Sequence, residues 1–239
     1  MTAPRPRLAY HLTPGTGPTV LFLPGYASDM RGVKALALEA WGQASGRGFC
    51  RFDYAGCGES EGEFAEQRFA DWLDDVLAMI DEVVAGPVLL VGSSMGGWLM
   101  LHAALQRPDR VVGLVGVAAA PDFTDWGFSM EEKLALLQQG RVERANPYGP
   151  APTVYTRAFW QSGEAHRLMF GAIAIDCPVR LIHGIADTDV PWIRSARLAE
   201  LIRSADVQAL LIKDGDHRLS READIARMIQ AVEEVLARA

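Results

Sequence analysis

The chain has 239 residues, 49% hydrophobic and 22% charged, with a formal net charge of −7. That hydrophobic content excludes intrinsic disorder over the bulk of the chain and is enough to bury a core without disulfide staples. The acidic balance, with no block of Lys and Arg, excludes a nucleic-acid partner. Short apolar runs predict strands at Leu8–Leu12, Thr19–Leu23, Gly48–Asp53, Val88–Gly92, Val112–Val117, Arg180–His183 and Gln208–Lys213. Between them, amphipathic patterns predict helices at Met30–Ser45 (Asp29 as N-cap), Arg68–Val84, Met95–Gln106, Pro191–Arg203 and Arg221–Ala237. The alternation predicts an α/β fold: one mostly parallel sheet with helices on both faces.

Pro121–Asp176 breaks this rhythm. It carries no strong strand signal, helical patterns around Met130–Gln139 and Ala158–Ala172, and a Pro/Gly-rich NPYGPAP run at Asn146–Pro152. An insertion of that length is expected to be a functional lid on a single domain spanning residues 1–239. Cys50, Cys57 and Cys177 fit no zinc spacing and leave one thiol over in any pairing, which suits a reducing compartment. The most apolar stretch, Val111–Ala120, is too short to span a bilayer. MTAPRPRLAY lacks the apolar run of a secretory signal, and Pro4 and Pro6 oppose a presequence helix. A cytoplasmic location is expected.

The strongest chemical signal is Gly92-Ser93-Ser94-Met95-Gly96, a G-x-S-x-G turn between a predicted strand and a predicted helix. Small residues two before and two after Ser94 let the backbone fold sharply and expose its hydroxyl. Ser93 has Val91 and Met95 at those positions and does not fit. A serine needs a base. Of five histidines, His11 precedes any site loop, His102 lies two turns into the following helix, His166 falls in the insertion, and His183 ends a strand. His217 alone follows the last strand, where an open α/β sheet places its site.

The carboxylate that orients the base is sought in HGIADTDVP. Asp187 is favoured. Asp189 reads as a turn or N-cap residue for the next helix, and Asp53 as an organiser of its own loop. An oxyanion requires two N–H donors. Met95, after the nucleophile, supplies one and Tyr26, after Pro24-Gly25, the other. The Tyr26 ring then either bonds substrate or covers the pocket. In the insertion, Trp126, Phe128 and Trp160 belong to an aromatic set that either lines an acyl pocket or packs the lid. Arg141, Arg144, Arg157 and Arg167 are candidates to hold a carboxylate, against a solvated-surface reading. Cys57 reads as packing, and no metal or cofactor site is expected.

Taken in order, PGY, FDYAGCGES, GSSMGG, HGIADTDVP and DGDHRL resemble the α/β-hydrolase superfamily over nearly the whole chain. The resemblance implies a lidded α/β-hydrolase fold and a structural role for the FDYAGCGES turn. Two departures are a short N-terminal region and PGY in place of the common HG-x. Longer runs, including PGYASDMRGVKALALE and VGSSMGGWLMLHAALQRPDRVVGLVGVAAAPDF, are similar to the mitochondrial palmitoyl-protein thioesterase and mycophenolic acid acyl-glucuronide esterase family. The short N-terminus fits a bacterial relative. The resemblance implies a serine hydrolase of acyl esters or thioesters, on a small-molecule or acyl-protein substrate. Two alternatives stand beside it: a general carboxylesterase for small xenobiotic esters, and a non-catalytic ligand-binding protein of the same fold.

Overall fold

The computed structural model describes residues 5–146 and 149–238, so Met1–Pro4, Pro147 and Tyr148 of the NPYGPAP run, and Ala239 lie outside the described residues. The strands are β1 (Tyr10–Thr13), β2 (Thr16–Leu23), β3 (Arg47–Phe52), β4 (Val88–Ser93), β5 (Val111–Val117), β6 (Arg141–Arg144), β7 (Thr153–Thr156), β8 (Val179–Gly184) and β9 (Val207–Ile212). The helices are α1 (Val33–Ser45), α2 (Phe69–Ala78), α3 (Met95–Gln106), α4 (Phe123–Trp126), α5 (Met130–Gln139), α6 (Arg157–Ala165), α7 (Ile193–Leu201) and α8 (Glu222–Leu236).

The main sheet has the order β1-β3-β2-β4-β5-β8-β9. Only β1 runs antiparallel, against β3. Alternate residues of each inner strand feed two separate cores. Val20 and Phe22 pack with Ala35 and Leu38 of α1 and with Met228 and Val232 of α8. Leu21 and Leu23 pack on the opposite face with Trp72 of α2 and Leu99 of α3. Because both faces are covered, β4 and β8 are buried along their whole length.

Two of the expected helices differ from the sequence expectation for an identifiable reason. Helix α1 starts at Val33 because the Asp29 carboxylate takes the Arg31 N–H (2.7 Å) and holds residues 30–32 in a turn. The expected Arg68–Val84 helix is α2 followed by a π turn at Met79–Val83, where the Val84 N–H reaches back to the Met79 carbonyl. Arg110 then closes its end on the Ile80 and Val84 carbonyls, at 2.8 and 2.6 Å.

The insertion between β5 and β8 is the larger correction. It contains a two-stranded ladder, β6 against β7, which pairs Val142 with Tyr155. Four-residue strands such as RVER give too short an alternation to register in the sequence. Helix α6 stops at Ala165, short of the expected Ala172. The Asp122 carboxylate captures the Leu168 and Met169 N–H groups at 2.8 Å each and turns the chain there. Among the described residues, no helix is long and apolar enough to cross a membrane.

Candidate active site

Ser94 stands between β4 and α3 with φ 52° and ψ −118°, a backbone conformation costly for a residue with a side chain. The turn holds because the Ser94 N–H bonds to the Val117 carbonyl and its own carbonyl accepts from the Ala120 N–H, both at 3.0 Å. Gly96 is required by close approach. A Cβ there would lie 2.1 Å from the Leu23 carbonyl oxygen.

His217, in the loop after β9, faces the serine with Nε2 3.2 Å from Ser94 Oγ. Its Nδ1 lies 2.8 Å from Asp187 Oδ2. A carboxylate only accepts, so Nδ1 carries the proton, and the Nε2 lone pair is left facing the serine hydroxyl. Asp187, after β8, has a fully buried side chain. Its Oδ1 accepts the Asp189 and Val190 N–H groups at 2.8 Å each. Burial alone would raise its pKa. Hydrogen bonds from His183 and His217, the electrostatic influence of His217 and the Val190 N–H outweigh burial and hold the carboxyl well below the usual carboxylate range.

The rival acids have other work. The N-cap position of α7 is Trp192, three residues beyond Asp189. Asp53 bonds the Met30 and Glu59 N–H groups at 2.7 and 2.8 Å, the loop-organising part expected of it. Among the described residues, Asp187, Asp189 and His217 are the one group of three or more whose metal-ligand atoms lie within 4.8 Å of one another. Asp187 and His217 of that set are already bonded to each other.

Met95 opens α3, and its N–H is one of the four that a helix leaves without an intrahelical acceptor. The Pro24–Tyr26 loop abuts the serine, since a Cβ on Gly25 would lie 3.3 Å from Ser94 Cβ. Neither the Tyr26 nor the Met95 N–H donates to another described residue. The Tyr26 side chain has a position that the sequence left open. Its hydroxyl donates to the Val154 carbonyl of β7 at 2.6 Å, and its ring stacks on Tyr155 at 4.6 Å. Burial, then Tyr155 and Cys57, pushes this phenol well above its ordinary pKa.

A cavity of about 690 Å³ opens over Ser94 and His217, walled by Tyr26, Phe123, Trp126 and Tyr155 and edged by Lys34 and Arg144. Of the three aromatic residues expected there, Trp126 lines it. Phe128 and Trp160 do not. Phe128 is buried behind Phe123 and under the Arg144 guanidinium, and the Trp160 indole N–H bonds the Thr124 carbonyl at 3.0 Å. The arginines of the insertion are engaged within the protein. Arg144 pairs with Glu132 (2.8 Å), Arg167 with Asp125 (2.8 Å) and Arg141 with Glu143 (3.4 Å), while Arg157 donates to the Leu137 carbonyl (3.1 Å). The Cys57 thiol is buried and pushed up to about 12, by burial first and then by Asp53, Asp75 and Asp29, so it is packed rather than reactive.

His102 and His166 have other partners: His102 Nε2 reaches the His166 carbonyl at 2.8 Å, and His166 Nδ1 the Ser162 carbonyl at 2.7 Å. Sequence reasoning missed three contributors. Lys34 and Tyr155 line the cavity from α1 and β7. His183 lies on the far side of Asp187, 3.1 Å from its Oδ2. The available signal for His183 was its place in the same HGIAD run, four residues before the acid.

The Hydrolase_4 family (serine aminopeptidase, S33) matches residues 16–143. The chain is 41% identical to the mitochondrial palmitoyl-protein thioesterase ABHD10 of Mus musculus, over 97% of this chain and 79% of that protein. The solved structure of mouse alpha/beta hydrolase domain-containing protein 10 superposes with a TM-score of 0.92 at 39% identity, covering 100% of this chain and 97% of that one. A putative hydrolase from Agrobacterium vitis S4 gives 0.91 at 38% identity, over 97% and 94% of the two chains. The family match takes in β4 and the Ser94 turn, the superposition on mouse alpha/beta hydrolase domain-containing protein 10 covers the whole chain, and the chain belongs to the Hydrolase_4 family of α/β hydrolases.

Proposed function

We propose that this protein hydrolyses acyl esters and thioesters through a covalent acyl-enzyme, with Ser94 as nucleophile, His217 as general base and acid, and Asp187 as the orienting carboxylate. The observation that carries the reading is the continuous chain from Ser94 Oγ to His217 Nε2 (3.2 Å) and from His217 Nδ1 to Asp187 Oδ2 (2.8 Å). His217 takes the hydroxyl proton as Oγ attacks the acyl carbon, and the imidazolium that forms is stabilised by Asp187. The Tyr26 and Met95 N–H groups receive the oxyanion. His217 returns the proton to the leaving oxygen or sulfur. Water, activated by the same imidazole, then resolves the acyl-enzyme.

The aromatic wall of the cavity and the likeness to palmitoyl-protein thioesterases support a long acyl chain on a thioester, with the insertion acting as lid. The general carboxylesterase is the competing reading within the same chemistry. Long-chain acyl thioesters are to be compared with short 4-nitrophenyl esters on wild type and Ser94→Ala. A preference for the short esters by more than about tenfold in kcat/KM, roughly 1.4 kcal/mol, favours the carboxylesterase. No turnover of either, in folded protein, favours the ligand-binding alternative. A cytoplasmic location is proposed alongside the hydrolase reading, on the ground that three cysteines leave one over in any pairing and suit a reducing compartment. Fractionation of the source cells tests it against the mitochondrial setting in the relatives' name.

A further inference from the structure

The carboxylate of Asp187 faces two imidazoles, and the mechanism uses only one. His183, on β8, has a side chain as fully buried as that of Asp187. Its Nε2 lies 3.1 Å from Asp187 Oδ2 and 3.0 Å from the Val190 carbonyl oxygen. Its Nδ1 lies 2.7 Å from the Oγ of Ser195, a buried residue of α7. Both neighbours of Nε2 are acceptors only, so that nitrogen must carry a proton. A serine hydroxyl can donate, so Nδ1 need not. The other neutral tautomer would turn a lone pair onto a carboxylate and a carbonyl inside the core, leaving buried acceptors without a donor.

We propose that His183 is a positioning residue for hydrolysis, held as the neutral Nε2–H tautomer by the Ser195 hydroxyl so that it donates to Asp187. The proposal rests on the reading of Asp187 as the acid of the site. His183 completes a set of four donors on one carboxylate: two backbone N–H groups on Oδ1 and two imidazoles on Oδ2. With both oxygens anchored, the carboxylate cannot rotate away from His217. The second imidazole also draws charge from Oδ2, which weakens the pull of Asp187 on the His217 proton. His183 therefore sets both the geometry of the base and its strength.

Few groups near His183 titrate. Asp187 shares its loop with Asp189, and His217 approaches from the β9–α8 loop behind Asp216. Its register partner on β9 is the uncharged Leu211, and α7 presents Ser195. A change in the pH profile of a His183 variant thus reads out through Asp187 and His217.

Three variants and one measurement on the wild type test the proposal. In His183→Leu, kcat per active site falls roughly ten- to a hundredfold, the worth of a hydrogen bond to a charged group. KM changes little, and the acidic limb of kcat/KM moves to higher pH. His183→Gln, whose amide donates, restores part of both. Ser195→Ala shifts both in the same direction by less. Active sites are counted by fluorophosphonate titration, so misfolded protein does not enter the rate. A merely structural role would lower that count and leave the limb in place, which overturns the proposal. On the wild type, histidine ¹⁵N NMR should find His183 protonated on Nε2 alone. A proton on Nδ1, in the other tautomer or as imidazolium, overturns it even if no variant folds. This measurement needs no substrate, so it separates a failure here from a failure of the hydrolase reading.

Discussion

His217 and Ser94 are 123 residues apart in sequence and 3.2 Å apart in space, Nε2 to Oγ. Strands β4 and β9 carry them to the same sheet edge, although β5 and β8 lie between. The loop that bears the base is tied to the loop that bears the acid. The Ile185 N–H bonds the Ile212 carbonyl at 2.8 Å, and the Ala186 N–H bonds the Gly215 carbonyl at 3.0 Å. Base and acid are therefore fixed to one another before either meets the serine.

Replacing Asp187 by Asn should isolate the orienting role. The amide keeps the shape of the carboxylate but presents a donor where His217 Nδ1 needs an acceptor, which favours the wrong tautomer. A fall in kcat of about 10⁴-fold with little change in KM is expected. Steady-state kinetics above pH 7 check it. A fall of less than about tenfold would show that Asp187 does not orient the base.

Tyr26→Phe should separate the oxyanion loop from the contact it makes with β7. The ring still stacks on Tyr155, but the Val154 carbonyl loses its 2.6 Å donor. A stability loss of about 1–2 kcal/mol is expected, with hydrolysis retained because the backbone N–H is untouched. Urea denaturation and esterase kinetics on the same preparation measure the two effects.

Asp75 gives a pH dependence of stability. It is buried in α2 and accepts the Ala55 N–H at 2.8 Å. Burial raises its pKa from 3.8 to about 6, opposed by that hydrogen bond. A carboxyl raised on folding favours the protonated native state. Its contribution is complete below about pH 4 and is lost as the pH rises through 6. Above that, the buried charge costs up to about 3 kcal/mol. Asp75→Asn should therefore raise Tm more at pH 8 than at pH 5. An equal shift at both would show that Asp75 titrates as an exposed carboxyl does.

What the sequence disclosed follows the range over which each rule acts. The sheet was legible because each strand is a local apolar run between helical patterns, and Ser94 because its turn needs Gly92 and Gly96 within four residues. Asp187 and His217 were reached through chain order, another local property once the strands are placed. The insertion was not legible in this way. Helix α6 ends because Asp122, 46 residues before Leu168, captures its amide, and no window along the chain contains both. Phe123 walls the cavity while Phe128 packs behind it, a choice made by how α4 meets α6 and not by composition. His183 went unnoticed as a partner of Asp187 because a histidine ending a strand ordinarily bonds only to its surroundings.

The central claim is that Ser94 is the residue that becomes acylated. Intact-mass analysis after reaction with a fluorophosphonate, followed by peptide mapping, tests it most directly. One adduct per chain on Ser94, and none in Ser94→Ala, is the predicted result. An adduct on Ser93 or elsewhere, or labelling that persists in Ser94→Ala, would contradict it.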